Sequence, residues 1–460
     1  MQCEDLIVLL RIPSKNIISS AILGESLVFP TSKKEARNRF LKAALTEKLV
    51  KWSPGNIDTG VPNDEIVNVY QKWGSGGFGM ILTGNLQVDE NHLESPGNMI
   101  IEKHLDSDKR REMFKKLAEA GKSGGALMIA QLSHGGRQTP YSVNKTPYSC
   151  SEIQLSATPK PWLTFGKPIA LTKDEIKTEI VDKFGYAAEY CYKCGFDGIE
   201  IHSAHGYLLA QFLSNTTNKR TDEYGGSVEN KMRIIVEIYN EIRKRVPADT
   251  GFVVGIKLNS VEFQNDGLKT DEAVEIVKKL DEIGFDFIEL SGGTYEKWVM
   301  ETPSNSSREG YFEVFAKSIK ENVKNAKIYL TGGFRTVEGM VSSIEFGSTD
   351  GIGIGRPSTA EPDLPSKILN NKVNSAPVNL LDPKGFAVTN VGSGSQMIQM
   401  SRKSLKECNS NPCHEIMDLS NPEIARKYLA RFDNFFDELM KKHKSGEPIT
   451  GLLEVDYKEL

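Results

Sequence analysis

Two imidazoles three residues apart, His202 and His205, stand just ahead of a phenol at Tyr207 in the run GIEIHSAHGYLLAQFLSNTTNKRTDEYGGSVEN, which begins at Gly198. Imidazole N–H groups can grip an oxygen that gains negative charge, and a nearby phenol can deliver a proton. The same pair could hold a metal ion, but a zinc site wants further His, Cys or Asp ligands, and no such cluster can be placed. Burial of both rings for structural reasons is the third reading. Other polar or glycine positions fall at comparable places: Thr46, Gly84, Gln131, Lys257, Ser291, Gly332 with Gly333, and Gly355 with Arg356. Turns alone account for glycines. They do not call for a glutamine, two histidines, a lysine and an arginine at one face.

These residues end recurring units of an amphipathic helix, a glycine and a short apolar strand. Thr172 and Glu175 have capping-box spacing, in which each side chain satisfies an orphan helix N–H. Ile176, Ile180, Phe184, Ala187 and Cys191 then mark one helical face, Gly195 a C-cap, and 198–201 a buried strand. A second copy runs from Thr270 through Ala273, Ile276, Val277, Leu280 and Ile283 to Gly284 and a strand at 287–290. The junctions echo each other, GFDGIEI at 195–201 against GFDFIEL at 284–290.

Strands are expected at 38–43, 79–83, 126–131, 198–202, 253–258, 287–291, 327–331 and 351–354. Short apolar strands alternating with helices are parallel and covered on both faces. Eight of them close a barrel. An open doubly wound sheet would carry a glycine-rich phosphate loop after its first strand, where this chain has Ala44-Leu45-Thr46-Glu47. The expected fold is α/β, a (β/α)8 TIM barrel over 26–370 after a lead segment 1–25. A mostly helical C-terminal extension, 371–460, follows. Its last helix starts at Asn421-Pro422, and an apolar face of Ile424, Tyr428, Phe432, Phe435 and Leu439 is expected to dock on the barrel rather than on a partner subunit.

Composition narrows the functions. With 57 basic and 61 acidic residues among 460, the net charge of -4 offers nothing to nucleic acid or an anionic membrane. No stretch approaches the ~20 apolar residues of a membrane span. The N-terminus lacks the pattern of a signal peptide or of an Arg-rich leader, so a cytoplasmic, reducing setting is expected. Six cysteines are too sparse for a disulfide scaffold. Cys191 and Cys194 read as core, Cys408 and Cys413 as ordinary thiols, and no metal is expected.

The run at 198–230 resembles the old yellow enzyme family of flavin-dependent reductases. So do Asn38-Arg39-Phe40 with Ala44-Leu45-Thr46, Gln131-Leu132-Ser133-His134-Gly135-Gly136-Arg137, Thr331-Gly332-Gly333-Phe334 and Gly353-Ile354-Gly355-Arg356-Pro357, in order over roughly 26–370. The resemblance implies a TIM barrel with FMN at its C-terminal mouth, NADH or NADPH as donor, and an enone or quinone as small-molecule substrate. It implies Lys257 as the cation near flavin N1, where many relatives have Arg, and Gln131 at the pyrimidine edge. Thr46, following Ala44 and Leu45, would lie near the C4 carbonyl, and Gly84 where backbone approaches the ring. Gly332, Gly333, Gly355 and Arg356 would hold the phosphate. His202 and His205 would bind the substrate oxygen, with Asn replacing the second in some relatives, and Tyr207 would protonate the α-carbon.

Relatives include monomers and oligomers, so a homo-oligomer is compatible with the resemblance. Bacterial dienoyl-CoA reductases add an iron–sulfur cluster and nucleotide-binding domains after the barrel, which a tail of this length with two cysteines does not match. Two other classes stay open: a metal-assisted barrel hydrolase using the His pair, and a non-catalytic flavin-binding barrel.

Overall fold

A computed structural model describes residues 9–155, 161–259, 270–293, 309 and 313–460. Eight parallel strands close on themselves: β1 (Phe40–Lys42), β2 (Met80–Leu82), β3 (Leu127–Ser133), β4 (Gly198–Ser203), β5 (Val253–Asn259), β6 (Phe287–Ser291), β7 (Lys327–Thr331) and β8 (Gly351–Ile354). Each pairs with its neighbours in sequence, and β8 returns to β1. All eight expected strands are present. β1 starts two residues late because Asn38 turns its side chain onto its own chain: Oδ1 accepts from Phe40 N at 3.0 Å, and Nδ2 donates to Gly77 O. β3 and β5 run further than expected, carrying Ser133 and Asn259 into the barrel mouth.

The outer layer holds α1 (Asp64–Gly74), α2 (Asp108–Lys122), α3 (Asp182–Lys193), α4 (Val228–Arg245), α5 (Thr270–Ile283), α6 (Glu313–Lys320), α7 (Val337–Glu345) and α8 (Leu364–Leu369). α1, α2, α4 and α7 start at side-chain caps, Asn63, Ser107, Ser227 and Thr336. The Thr172–Glu175 capping box forms as expected, but wide π-type turns at Ile176–Val181 intervene before α3. Cys191 and Cys194 are buried in the core.

The echoed junctions have a mechanical purpose. Asp197 clamps Met128 on the preceding strand twice, its backbone N–H donating to Met128 O and its carboxylate accepting from Met128 N. Asp286 does the same to Val254, and Asp350 to Ile328. Three junctions thus pin strand register at the barrel floor. Three residues beyond each Asp stand Glu200, Glu289 and Gly353; five beyond stand His202, Ser291 and Gly355 at the mouth.

The extension contains α9 (Phe386–Ser401) and α10 (Pro422–Ser445). α10 docks within the chain. Tyr428 packs with Leu381, Val388, Met417 and Leu419, while Leu439 and Phe436 enclose Trp162. α9 was not anticipated from the sequence. Its last carbonyls meet α1, with Lys72 Nζ donating to Met400 O at 2.6 Å and Asn68 Nδ2 to Ser401 O at 2.9 Å. A cation suits a helix C-terminus. Among the described residues, no helix is long and apolar enough to cross a membrane.

Candidate functional site

A cavity of about 220 Å³ opens at the C-terminal ends of the strands. Ala44, Leu45, Thr46, Gln131, His202, His205, Tyr207, Lys257, Gly332, Gly333, Gly355 and Arg356 all line it. Gly84 does not line it. The space a side chain would need at Gly84 is taken by Glu47, the Leu45 carbonyl and Thr46, so the close approach there is between two loops of the protein. Its N–H donates to Glu47 Oε1 at 2.9 Å.

The two imidazoles are joined to each other rather than converging as two free donors. Ala204 N donates to His202 Nδ1, leaving the His202 proton on Nε2, which faces His205 Nδ1 at 3.4 Å. His205 Nε2 reaches Ser291 Oγ at 2.9 Å. Burial pushes the pKa of His202 well below the usual histidine range, with His205 and Lys257 adding to the effect. Burial, then the Lys257 charge, lowers His205 to about 3. Both rings are therefore neutral at physiological pH, which suits N–H donation. His205 has φ 58°, a left-handed backbone that costs a non-glycine residue roughly 1 kcal/mol or more. Its N–H donates to Asn259 Oδ1 and its carbonyl accepts from Gln138 Nε2, which hold the turn.

Tyr207 sets its ring edge-on to His202, centroids 4.8 Å apart, and Asn85 Nδ2 reaches its hydroxyl at 3.4 Å. Thr46 Oγ1 donates to Glu94 Oε2 at 2.7 Å, so its proton is engaged by a carboxylate that also lines the cavity. Gln131 Nε2 donates to Glu200 Oε1 at 2.6 Å, which turns its carbonyl end free for the cavity. Lys257 Nζ pairs with Glu289 Oε1 at 2.7 Å. Deeper still, Lys42 lies over the Trp73 ring at 3.9 Å and donates to Leu82 O, and burial lowers its pKa to about 7.

On the opposite wall Gly332 and Gly333 have φ 136° and 85°, backbone that favours glycine. Arg356 is held from the extension: its guanidinium donates to Thr389 Oγ1, pairs with Asp382 at 3.5 Å and lies over Phe386. Phe386, Asn390, Ser393, Gly394 and Met397 of α9 line the cavity together with Gly451 and Leu452. The sequence carried no motif for these residues. Glu200 and Glu289 were legible in principle, since a carboxylate in the middle of an otherwise apolar buried strand needs a partner.

Two clusters of donors have metal-like spacing among the described residues, and neither includes His202 or His205. In the first, Asp89 already binds the Lys183 ammonium, and His92 donates to Asp89 and accepts from Tyr148 N. Asp89 and His92 thus already have partners, whereas His134 Nε2 is buried with none among the described residues. Cys413, expected as an ordinary thiol, donates to Asp363 Oδ1 at 3.1 Å.

With this geometry in place, the comparisons with known proteins converge. Residues 30–374 match the NADH:flavin oxidoreductase / NADH oxidase family. The NADH-dependent flavin oxidoreductase nadA of Aspergillus parasiticus is 42% identical over 389 residues, covering 83% of this chain and 86% of its own. Cinnamate reductase of Clostridium sporogenes is 32% identical over 372 residues, and this chain spans about half (52%) of its length. Among solved structures, an old yellow enzyme homologue from Zymomonas mobilis matches with a TM-score of 0.62 and 23% identity, over 77% of this chain and 94% of that one. Morphinone reductase in complex with tetrahydroNAD gives 0.62 and 22%, over 77% and 92%. These two show the barrel fold.

The chain belongs to the NADH:flavin oxidoreductase / NADH oxidase family of FMN enzymes. It is an oxidoreductase whose cofactor is FMN and whose electron donor is NADH. Membership overturns both the metal-assisted hydrolase and the non-catalytic alternatives. The residues present fit the flavin on their own chemistry. Asn85 Oδ1, Thr331 Oγ1 and Ser393 Oγ are buried on residues that line the cavity and have no hydrogen-bond partner among the described residues, as expected of atoms meant for a ligand.

Proposed function

We propose that this enzyme reduces activated C=C bonds, as in enones, and quinones. The observation that carries the reading is the wall formed by His202, His205 and Tyr207 in the same cavity as Lys257 and Gln131. FMN, when bound, would supply two-electron transfer between NADH and the second substrate. Lys257 and Gln131 would hold its pyrimidine edge; Gly332, Gly333, Gly355 and Arg356 would hold its phosphate. His202 donates Nε2–H to the substrate oxygen, exchanging its long contact with His205 for a stronger bond to developing negative charge. His205 joins as a second donor once its proton moves to Nδ1. Tyr207, edge-on to the same imidazole, gives its phenolic proton to the α-carbon. One cavity serving NADH and substrate in turn makes the scheme ping-pong. Cinnamate reductase and the nadA oxidoreductase are named for related chemistry, and a cytoplasmic setting with ready NADH goes with it.

The test is spectroscopic. The purified protein should be yellow, heat should release FMN and not FAD, and anaerobic NADH should bleach it. Cyclohexenone or a benzoquinone should then restore the colour. A bleached enzyme that neither oxidant restores would overturn the substrate assignment, while a protein that takes up no flavin would overturn the whole reading.

A further inference from the structure

Directly beneath the cavity lies an arc of four side chains from adjacent strands. Gln131 on β3 donates through Nε2 to Glu200 Oε1 on β4 at 2.6 Å, and Lys257 on β5 pairs with Glu289 Oε1 on β6 at 2.7 Å. Glu200 and Glu289 are both 0% exposed, yet Glu200 Oε2 and Glu289 Oε2 receive no N–H or O–H from any described residue. The charge of Glu289 is felt at Glu200, so the two buried carboxyl groups are neighbours. Two neighbouring buried carboxylates repel, and one proton between them relieves the repulsion. Burial, and next the charge of Glu289, lift the Glu200 pKa well above the usual carboxylate range; Lys257 and the Gln131 hydrogen bond oppose this less strongly. The remaining cation nearby, Lys42, senses Glu47 most, then Lys257 and Glu289. His202 and His205 are neutral.

We infer that Glu200 and Glu289 are positioning residues for the flavin site, sharing one proton that resides on Glu200. This rests on the flavin reading above. The arc is then amide, acid, carboxylate and ammonium, with no net charge. Its two ends are the two groups that face the pyrimidine edge. Glu200 fixes the Gln131 amide so that its carbonyl faces the cavity, where it can accept from an imide N–H. Glu289 orients the Lys257 ammonium and neutralises it, limiting how far that cation can favour a negatively charged reduced flavin. Neither carboxyl lines the cavity, so each acts only through its partner. The device sits on the repeated junction: Glu200 and Glu289 occupy the same place after Asp197 and Asp286, whose clamps fix the register that makes them meet.

Redox potentiometry of the holoenzyme tests this. Glu289→Gln removes the negative charge and keeps the shape, so Lys257 is left unneutralised. Reduced flavin should gain on oxidised flavin by about tenfold in relative affinity, a rise of about 30 mV for a two-electron couple. Glu200→Gln is isosteric with the protonated acid, accepting from Gln131 and donating to Glu289, and should leave potential and FMN affinity close to wild type. A Glu200→Gln shift as large as that of Glu289→Gln would overturn the proton assignment. An unchanged potential in Glu289→Gln, with flavin still stoichiometrically bound, would overturn the positioning role; a wild-type protein without flavin would instead overturn the reading beneath it. Should Glu289→Gln fail to fold, infrared difference spectra of wild type and Glu200→Gln at pH 8 decide. A protonated-carboxyl C=O band present in the first and lost in the second is expected, and its absence from wild type overturns the inference.

Discussion

The barrel and the C-terminal extension both reach into one cavity, and they are held there by different means. Strand-end residues such as His202, Ser291 and Gly355 recur five positions after Asp197, Asp286 and Asp350, whose side chains and backbones lock the neighbouring strands. Their placement follows from register, in which a one-residue slip would turn every side chain around. The extension has no such lattice. α9 stays in place by packing and by scattered side-chain contacts, those of Lys72, Asn68, Thr359 and Arg356 to it and those its own Ser395, Gln396 and Gln399 make within the extension. The family match also ends at residue 374, before α9 begins. On the proposed function the two regions would do different work: the pinned barrel would carry proton transfer and charge stabilisation, and the docked extension would trim affinity and shape.

That division is sharpest at Tyr207. Hydride passing from NADH to the cofactor needs no protein acid, but completing enone reduction requires a proton at carbon. Tyr207→Phe should leave anaerobic flavin reduction near wild type and slow reoxidation by cyclohexenone roughly 10²–10⁴-fold, the usual worth of a general acid. Quinone turnover should be spared, because oxygen can take its protons from water. Stopped-flow traces that show equal loss with both oxidants would instead mean a displaced flavin.

The imidazole pair comes next. Phenols such as p-hydroxybenzaldehyde should bind as phenolates against His202 and His205 and produce a long-wavelength charge-transfer band. Replacing both histidines by alanine should abolish the band while flavin stays bound. Survival of the band would shift anion binding to other residues, the extension included.

The same pair makes the barrel acid-sensitive. His205 has a folded pKa of about 3 against about 6.5 when unfolded, and His202 is lowered as well. Between those values the unfolded chain holds protons that the folded one rejects. Stability is therefore complete above about 6.5 and falls as pH drops through this window. Urea midpoints at pH 7.5 and 5 should diverge more for wild type than for His205→Gln. Equal divergence would mean that His205 takes its proton without loss of the fold.

How much of this was legible follows from the same contrast. The strands could be read because covered parallel strands are short apolar runs, and the caps at Thr172 and Asn421 because those side chains satisfy helix N–H groups locally. α9 could not be read. Its sequence, FAVTNVGSGSQMIQMS, is buried on nearly every side and so has no apolar stripe, and its glycines and serines resemble loop. Gly84 was assigned to a flavin contact because sequence reveals that something comes close, but not what; the neighbour is Glu47 with the Leu45–Thr46 backbone. Glu200 and Glu289 stood in the echoed junctions, where only three dimensions show that they face each other.

On the extension side, Thr389→Val removes one hold on Arg356 and leaves Asp382 and Phe386 in place. FMN release should quicken a few-fold, in keeping with one hydrogen bond to a charged group that other contacts still position. Enone-to-quinone preference should not change. A loss of catalysis in Thr389→Val with FMN saturating would break the division of labour, because the extension would then act on the chemistry itself.

The smallest effect is expected at Ser393, and its sign depends on what fills the cavity. Its hydroxyl is buried on α9 and has no partner among the described residues. A buried unpaired hydroxyl destabilises a fold by about 1–3 kcal/mol at most. Ser393→Ala should therefore stabilise the flavin-free protein, raising its melting temperature by on the order of a degree in a chain of this size. In the loaded protein the hydroxyl gains a partner, and losing a net hydrogen bond of about 0.5–1.5 kcal/mol weakens binding roughly three- to tenfold. Titration with FMN and the KM for an enone then locate that partner. A change confined to the FMN constant puts α9 against the cofactor, and a change confined to KM puts it against the substrate. If neither moves and the flavin-free protein is not stabilised, α9 walls the cavity without touching its contents.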